Sequence, residues 1–293
     1  KKDYKLKKCL AIIFFVTAVF SLNSLDFNDL SDDFLLVKVG KYDITVLDFK
    51  LYILGYDSID DWDIYSVEDV LNTMIMDLLF YNACEDEQIT VTEDEIARYA
   101  EKYFTDRSVA YDDPHALQLY FDMNDPYGSI EDFYMKTTYN LMKIKYLAKR
   151  NHIKQVKSCS IFFSTDKLSK KEKAIKKETA INLTNKIYSG QESFFYAVKQ
   201  FSDDSISKEK NGDIGLIDNG RETKKIFKST EIEKILQTGL FFPIFIEGSK
   251  GYHILMNYDY VFPDDEKYVS DILLELSDKY KVIKMVDINP KKL

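Results

Sequence analysis

Apolar residues change their spacing along this chain, and the changes mark its elements. Leu36-Val37-Lys38-Val39 and Ile44-Thr45-Val46 are β-prone segments separated by a turn at Gly40-Lys41. The spacing then becomes helical, with Val67, Val70, Leu71, Met74, Ile75 and Leu78 recurring about one turn apart. Ser66 with Asp69 predicts a capped start for that helix. Thr92 with Glu95 repeats the device before a helix over about 93–103, and Ser129 with Asp132 opens another, striped by Phe133, Thr137, Leu141 and Ile144. Between 105 and 128, Asp113-Pro114 and Asp125-Pro126 predict helix ends and turns.

The second half has a different rhythm, β-α-α-α-β-α-β-β over residues 156–258. A strand is predicted over 158–165, then a lysine-rich helix over about 170–189 with Ala180, Leu183 and Ile187 inward. Gly190 follows its end, where a left-handed residue is wanted. Phe194, Ala197, Val198 and Phe201 stripe a second helix, and a short helical turn is expected near 203–208. Gly212 and Gly215 bracket the approach to a short strand. Ile232, Ile235 and Leu236 stripe a helix stopped by Gly239, and Pro243–Glu247 with Tyr252–Asn257 form a hairpin.

Val269, Ile272, Leu273, Leu276 and Tyr280 make an amphipathic tail helix, and 282–288 reads as a strand. One helix and one strand cannot bury an apolar stripe by themselves. The tail is therefore expected to return to the first domain, with 282–288 pairing near 35–46; packing on 156–258 is the alternative. The fold class is α+β: a helical domain assembled from N- and C-terminal segments, and a second domain with a four-stranded sheet flanked by helices.

The N-terminus changes the picture of location. Lys1, Lys2, Lys5, Lys7 and Lys8 precede an apolar run from Leu10 to Phe20, and small residues follow at Ser21 and Ser24. This is the tripartite pattern of a signal peptide over residues 1–24. The run is short for a membrane span, which needs roughly 20 apolar residues. Export to the periplasm or cell envelope is expected, with membrane proximity if the leader is retained. Beyond the leader only Cys84 and Cys159 remain, too few for a disulfide framework in a chain of 293 residues. His115, His152 and His253 are far apart in sequence, so neither a metal nor a cofactor is expected.

Charge is uneven. Residues 22–150 carry 27 Asp and Glu against 11 Lys and Arg, whereas 151–258 carry 13 against 18. So acidic a first domain argues against nucleic acid as a partner. Gly (10) and Pro (5) are scarce while Tyr (21) and Phe (20) are abundant, which argues against long disordered stretches.

Four spaced fragments carry a family resemblance. Cys159-Ser160-Ile161-Phe162-Phe163, the helix ending at Ser189-Gly190, the stretch from Phe201-Ser202-Asp203-Asp204 to Gly212-Asp213-Ile214-Gly215, and Gly251-Tyr252-His253-Ile254-Leu255 occur in an order that resembles a parvulin-type (PpiC, rotamase) peptidyl-prolyl isomerase domain. Upstream, Val37-Lys38-Val39-Gly40, Ile44-Thr45-Val46-Leu47-Asp48-Phe49, the long helix to Ala83 and Gln88-Ile89-Thr90-Val91-Thr92-Glu93-Asp94-Glu95-Ile96 resemble the N-terminal region of exported chaperones of the SurA/PrsA type. The resemblance implies a substrate-handling domain over 34–150, a parvulin-like domain over 156–258, and a segment 262–288 that rejoins the first domain.

The resemblance also implies site residues. His253 matches the second family histidine and Asp204 the family's aspartate or cysteine. Ser160 stands where the first histidine is usual. Phe162, two residues further along the same strand, is a substrate-pocket candidate. Counting without gaps from Gly215 puts Glu222 and Ile226 at substrate-pocket positions usually held by methionine and phenylalanine; one gap puts Phe227 there instead. Isomerisation requires holding a twisted amide against a barrier of about 18–20 kcal/mol, so an apolar grip and a few oriented polar groups suffice. A serine hydrogen-bonds but lacks an imidazole's reach.

Three functions follow, one of them an envelope structural or antigenic protein with neither binding nor isomerase activity; the other two handle polypeptides. One is an exported chaperone or foldase that binds unfolded polypeptides, its parvulin-like domain having weak or lost activity. The alternative is an active parvulin-type isomerase. In either case the partners are unfolded or proline-containing envelope or secreted polypeptides.

Overall fold

The computed structural model describes residues 30–53, 64–124, 129–262 and 265–285. The leader and the end of the tail strand, 286–288, lie outside the described residues. The elements, in chain order, are β1 (Leu35–Val39), β2 (Tyr42–Thr45), α1 (Val46–Ile53), α2 (Ile64–Asp86), α3 (Glu93–Asp106), α4 (Pro114–Asn124) and α5 (Ile130–Arg150). Then come β3 (Gln155–Ser164), α6 (Lys170–Tyr188), α7 (Phe194–Phe201), α8 (Ser205–Lys208), β4 (Asp213–Asp218), α9 (Arg221–Ile226), α10 (Ser229–Gln237), β5 (Pro243–Glu247), β6 (Gly251–Tyr260), α11 (Asp265–Tyr280) and β7 (Val282–Lys284).

They form two compact units. One takes the described residues within Lys1–Val91, Gln118–Leu147 and Asp264–Leu293; the other takes Thr92–Leu117 and those within Ala148–Pro263. The architecture is α+β, with one unit drawn from both ends of the chain.

In the first unit a three-stranded sheet has the order β2-β1-β7. The tail strand pairs antiparallel with β1, Val37 opposite Lys284 and Val39 opposite Val282. Leu36, Val37, Val39 and Ile44 are buried, and Ile272, Leu273 and Leu276 bury the apolar stripe of α11, which packs on α2. Gly40 makes the β1–β2 turn in the left-handed region (φ 59°); a Cβ there would stand 2.8 Å from Asn82 Oδ1. Helix α2 starts at Ile64, two residues before Ser66, so that serine lies within the helix and not before it. A helix also spans much of the region read as turns. Pro114 begins α4, where its missing N–H costs nothing, and Asp113 Oδ1 accepts the N–H of His115 at 2.9 Å.

In the second unit β3, β4, β5 and β6 form an antiparallel sheet ordered β4-β3-β6-β5. Its centre is the β3–β6 pair, with Ser160 opposite Leu255, Phe162 opposite His253 and Ser164 opposite Gly251. Val156, Ile217, Ile246 and Leu255 form a core with Phe227, Ile232 and Ile235. Helix α6 packs on β5 and β6, and α7 on β3, burying Ala180, Leu183, Ile187, Ala197 and Val198. Ser169 and Glu172 close a capping box at the start of α6. One short helix, α9, was not expected.

Helix α3, within 34–150 on the sequence reading, groups with this second unit. Arg98 donates to the carbonyls of Phe241 (2.9 Å) and Tyr188 (2.8 Å), Tyr99 stands edge-on to Phe241, and Glu101 accepts from the Ser193 hydroxyl that caps α7.

Candidate functional site

The alternation of side chains along two paired strands builds the site. Opposed residues on neighbouring strands share a face, so Ser160 and Phe162 of β3 project with His253 and Leu255 of β6. Ile246 of β5 flanks His253 on the other side. Ser160 Oγ and His253 Nδ1 are 3.0 Å apart and hydrogen-bonded, and both side chains are buried. The Ser160 backbone is held as well: its N–H donates to Gly212 O at 2.8 Å. Gly212 has φ +83°, and a Cβ there would stand 3.0 Å from Ser160 O, so both the turn and the close approach demand glycine.

Two aromatic rings bracket the imidazole. Phe162 lies 4.7 Å away, centroid to centroid, tilted by 36°; Phe227 lies 4.9 Å away and nearly edge-on. Phe227 is 3% exposed and sits just past α9, bridged to Gly248 of the β5–β6 turn. Burial pushes the His253 imidazole down to about 4, and the Asp204 carboxylate opposes that only in part. At neutral pH the ring is therefore uncharged. It is a polar group set in an apolar floor, 8% exposed.

Asp204 has a structural duty of its own. It is the N-cap of α8, its Oδ1 accepting the N–H of Ile206 at 3.1 Å. Its field still reaches His253. The preceding residues brace β3: Phe162 N–H donates to Ser202 Oγ, Asp203 N–H donates to Phe162 O, and Ser164 N–H donates to Asp203 Oδ2.

The pocket candidates divide. Phe162 and Phe227 join His253. Glu222 does not: it stands in the first turn of α9, its side chain 81% exposed and ion-paired with Lys225. The desolvation penalty of a carboxylate in a proline pocket therefore does not arise. Ile226 is 46% exposed at the end of the same helix. Of the two alignments, the gapped one puts an aromatic ring on the imidazole, because α9 turns residue 227 inward.

Sequence reasoning missed Gly248. A Cβ there would meet His253 Nε2 at 2.8 Å, so the turn backbone closes over that side of the ring. It also missed the bracing by Ser202 and Asp203, although the Ser-Asp-Asp run was the available signal. Cys159, beside Ser160, faces the opposite side of the sheet and is buried, which raises its thiol pKa and leaves it inert.

Residues 139–259 match the family model of the PPIC-type PPIase domain. This segment is similar to a parvulin-type domain. The family match covers its sheet and the helices around it, and the candidate site lies wholly inside. No curated protein matches the chain. Among solved structures, PrsA from Bacillus subtilis is 18% identical, with 85% of this chain and 88% of that one covered and a TM-score of 0.29. The peptidylprolyl isomerase PrsA from Bacillus anthracis is also 18% identical, covering 74% and 99%, at a TM-score of 0.29. The foldase protein PrsA from Streptococcus pneumoniae is 14% identical, covering 81% and 85%, at 0.28.

Proposed function

We propose that the chain is an exported foldase that binds unfolded, proline-containing polypeptides, and that its parvulin-type domain is a peptide clamp with weak isomerase activity. The observation that carries this reading is the Ser160–His253 pair. The rings of Phe162 and Phe227 around His253 supply an apolar floor suited to a proline ring, which supports this reading. The polar half is reduced. One buried, neutral imidazole is tied at Nδ1 to a serine hydroxyl, where the family resemblance implies two histidines.

The chemistry follows from that inventory. Rotation about a prolyl amide is helped by any surface that fits the twisted form better than the planar ones. A neutral floor supplies van der Waals fit to both ground and twisted states, which gives binding. Selective stabilisation of the twist needs oriented dipoles, and losing one commonly costs about 10²–10³ in rate. Binding is therefore expected to outlast catalysis. The basic n-region and apolar run at 1–24 support export, and the polypeptides met there are the proposed clients.

The test pairs two assays on one preparation of the full chain: protease-free isomerisation of a proline peptide, and suppression of aggregation of an unfolded protein. Suppression that survives His253→Ala, beside a slow isomerisation rate, is the expected result. Fast isomerisation abolished by His253→Ala would replace this reading with that of an active isomerase. Failure of the folded protein to suppress aggregation would remove the clamp.

A further inference from the structure

The sheet edge beside the site is completed by side chains where a strand is lacking. Strand β4 pairs with β3 only from Gln155 to Cys159. Beyond it, the β3 edge at 162–164 would leave polar backbone groups without partners. Ser202 and Asp203 take them instead. Ser202 Oγ accepts Phe162 N–H at 3.1 Å, Asp203 N–H donates to Phe162 O at 2.7 Å, and Asp203 Oδ2 accepts Ser164 N–H at 2.9 Å. Lys176, reaching from α6, closes the edge: its Nζ donates to Asp203 Oδ2 at 2.6 Å and to Ser164 O at 2.9 Å.

We infer that Lys176 and Asp203 are positioning residues for the parvulin-type site, fixing Phe162 against His253 and Asp204 at its rim. Phe162 is pinned at both its backbone N–H and its C=O by residues 202 and 203, and its ring centroid lies 4.7 Å from that of the imidazole, against 4.9 Å for Phe227. Asp204 follows Asp203 directly, so the same clip sets where α8 begins. The pair is partly exposed, 29% for Lys176 and 41% for Asp203, and surface ion pairs of this kind add little to stability. A contact of small stabilising value that aligns the floor of a site has positioning as its evident use. The inference concerns the site described above and rests on its proposed role in gripping proline.

The test is Lys176→Met and Asp203→Asn in the full chain, with Lys176→Arg as the conservative control. Three measurements are taken: melting temperature, the ring-proton shifts of His253 by NMR without ligand, and affinity for an Ala-Pro peptide. Melting should move by no more than about 2–4 °C. The His253 shifts should move as the Phe162 ring turns, and affinity should fall by roughly tenfold. Lys176→Arg should restore both. Unchanged His253 shifts in folded Lys176→Met and Asp203→Asn protein would overturn the inference, as would an affinity loss that Lys176→Arg does not restore. Wild-type protein that binds no proline peptide would instead overturn the clamp reading, while the ligand-free shifts still decide whether the pair positions the ring.

Discussion

Gly248 and His253 are in such close approach that a Cβ on the glycine would stand 2.8 Å from the imidazole Nε2. The turn between β5 and β6 thus shapes the site by what it omits. It is closed on itself by Gly248 N–H donating to Gly251 O at 2.8 Å, and fastened to α9 by Ser249 N–H donating to Ile226 O at 2.8 Å. Phe227 and Gly248 therefore close on the imidazole together. Gly248→Ala is expected to push the ring from Ser160 and cost about 1–3 kcal/mol, the usual scale for overpacking. Urea denaturation gives the cost, and the His253 NMR signals report the displacement. An unchanged spectrum would show that the turn yields instead of the ring.

The buried imidazole makes stability depend on pH in a definite direction. His253 titrates near 4 when folded and near 6.5 when unfolded, burial being the main cause. The unfolded chain therefore takes up the proton first. The contribution is complete above about 6.5 and is lost as pH falls through 4, amounting to about 3 kcal/mol. Two-dimensional NMR of His253 should show no titration between pH 8 and 5.5. Relative to His253→Gln, the wild type should lose stability as pH falls from about 6.5 through 4.

Asp77 on α2 behaves in the opposite sense. Burial lifts its carboxyl to about 6 from 3.8, against the fields of Lys143 and Lys136 and a hydrogen bond from Tyr52. Its folded form holds the proton more tightly, so its stabilising contribution is whole below 3.8 and is lost as pH rises through 6. Asp77→Asn should therefore be more stable than wild type at pH 7, by about 3 kcal/mol, with the difference shrinking toward zero as pH falls to 4 and below. Paired urea curves at the two pH values measure it; equal midpoints at pH 7 would rule the effect out.

Arg98 gives a test of the second unit's extent. Its guanidinium donates to two backbone carbonyls, Tyr188 O at the end of α6 and Phe241 O. Removing a charged donor from such bonds commonly costs about 1.5–3 kcal/mol. Arg98→Ala is expected to destabilise by that amount. Urea denaturation of the full chain measures the cost, and an unchanged midpoint would show these two bonds of α3 to be dispensable.

The periodic elements were legible in the sequence because their cause is local. The stripe of Ala180, Leu183 and Ile187 determines which face of α6 is inward, and Gly190 (φ 72°) ends it where a left-handed residue was wanted. The apolar, β-prone runs at 158–163 and 251–256 likewise put Ser160 and His253 on strands. The sequence also carried the need of the tail's apolar stripe for cover, which β7 and α11 find on β1 and α2.

Other features depend on register and on neighbours distant in the chain. Helix α4 hid behind Asp113-Pro114 because a proline that ends one helix is equally suited to begin another. A one-residue choice in α9 separates exposed Ile226 from buried Phe227, and composition is blind to it. The 3.0 Å contact of Ser160 with His253 and the Lys176–Asp203 clip each join residues tens of positions apart, and the Gly248 backbone meets Nε2 only because the β5–β6 turn folds back. Sequence supplied the side chains and the faces they lie on. Only strand pairing and packing, which set distances, decided which of them meet.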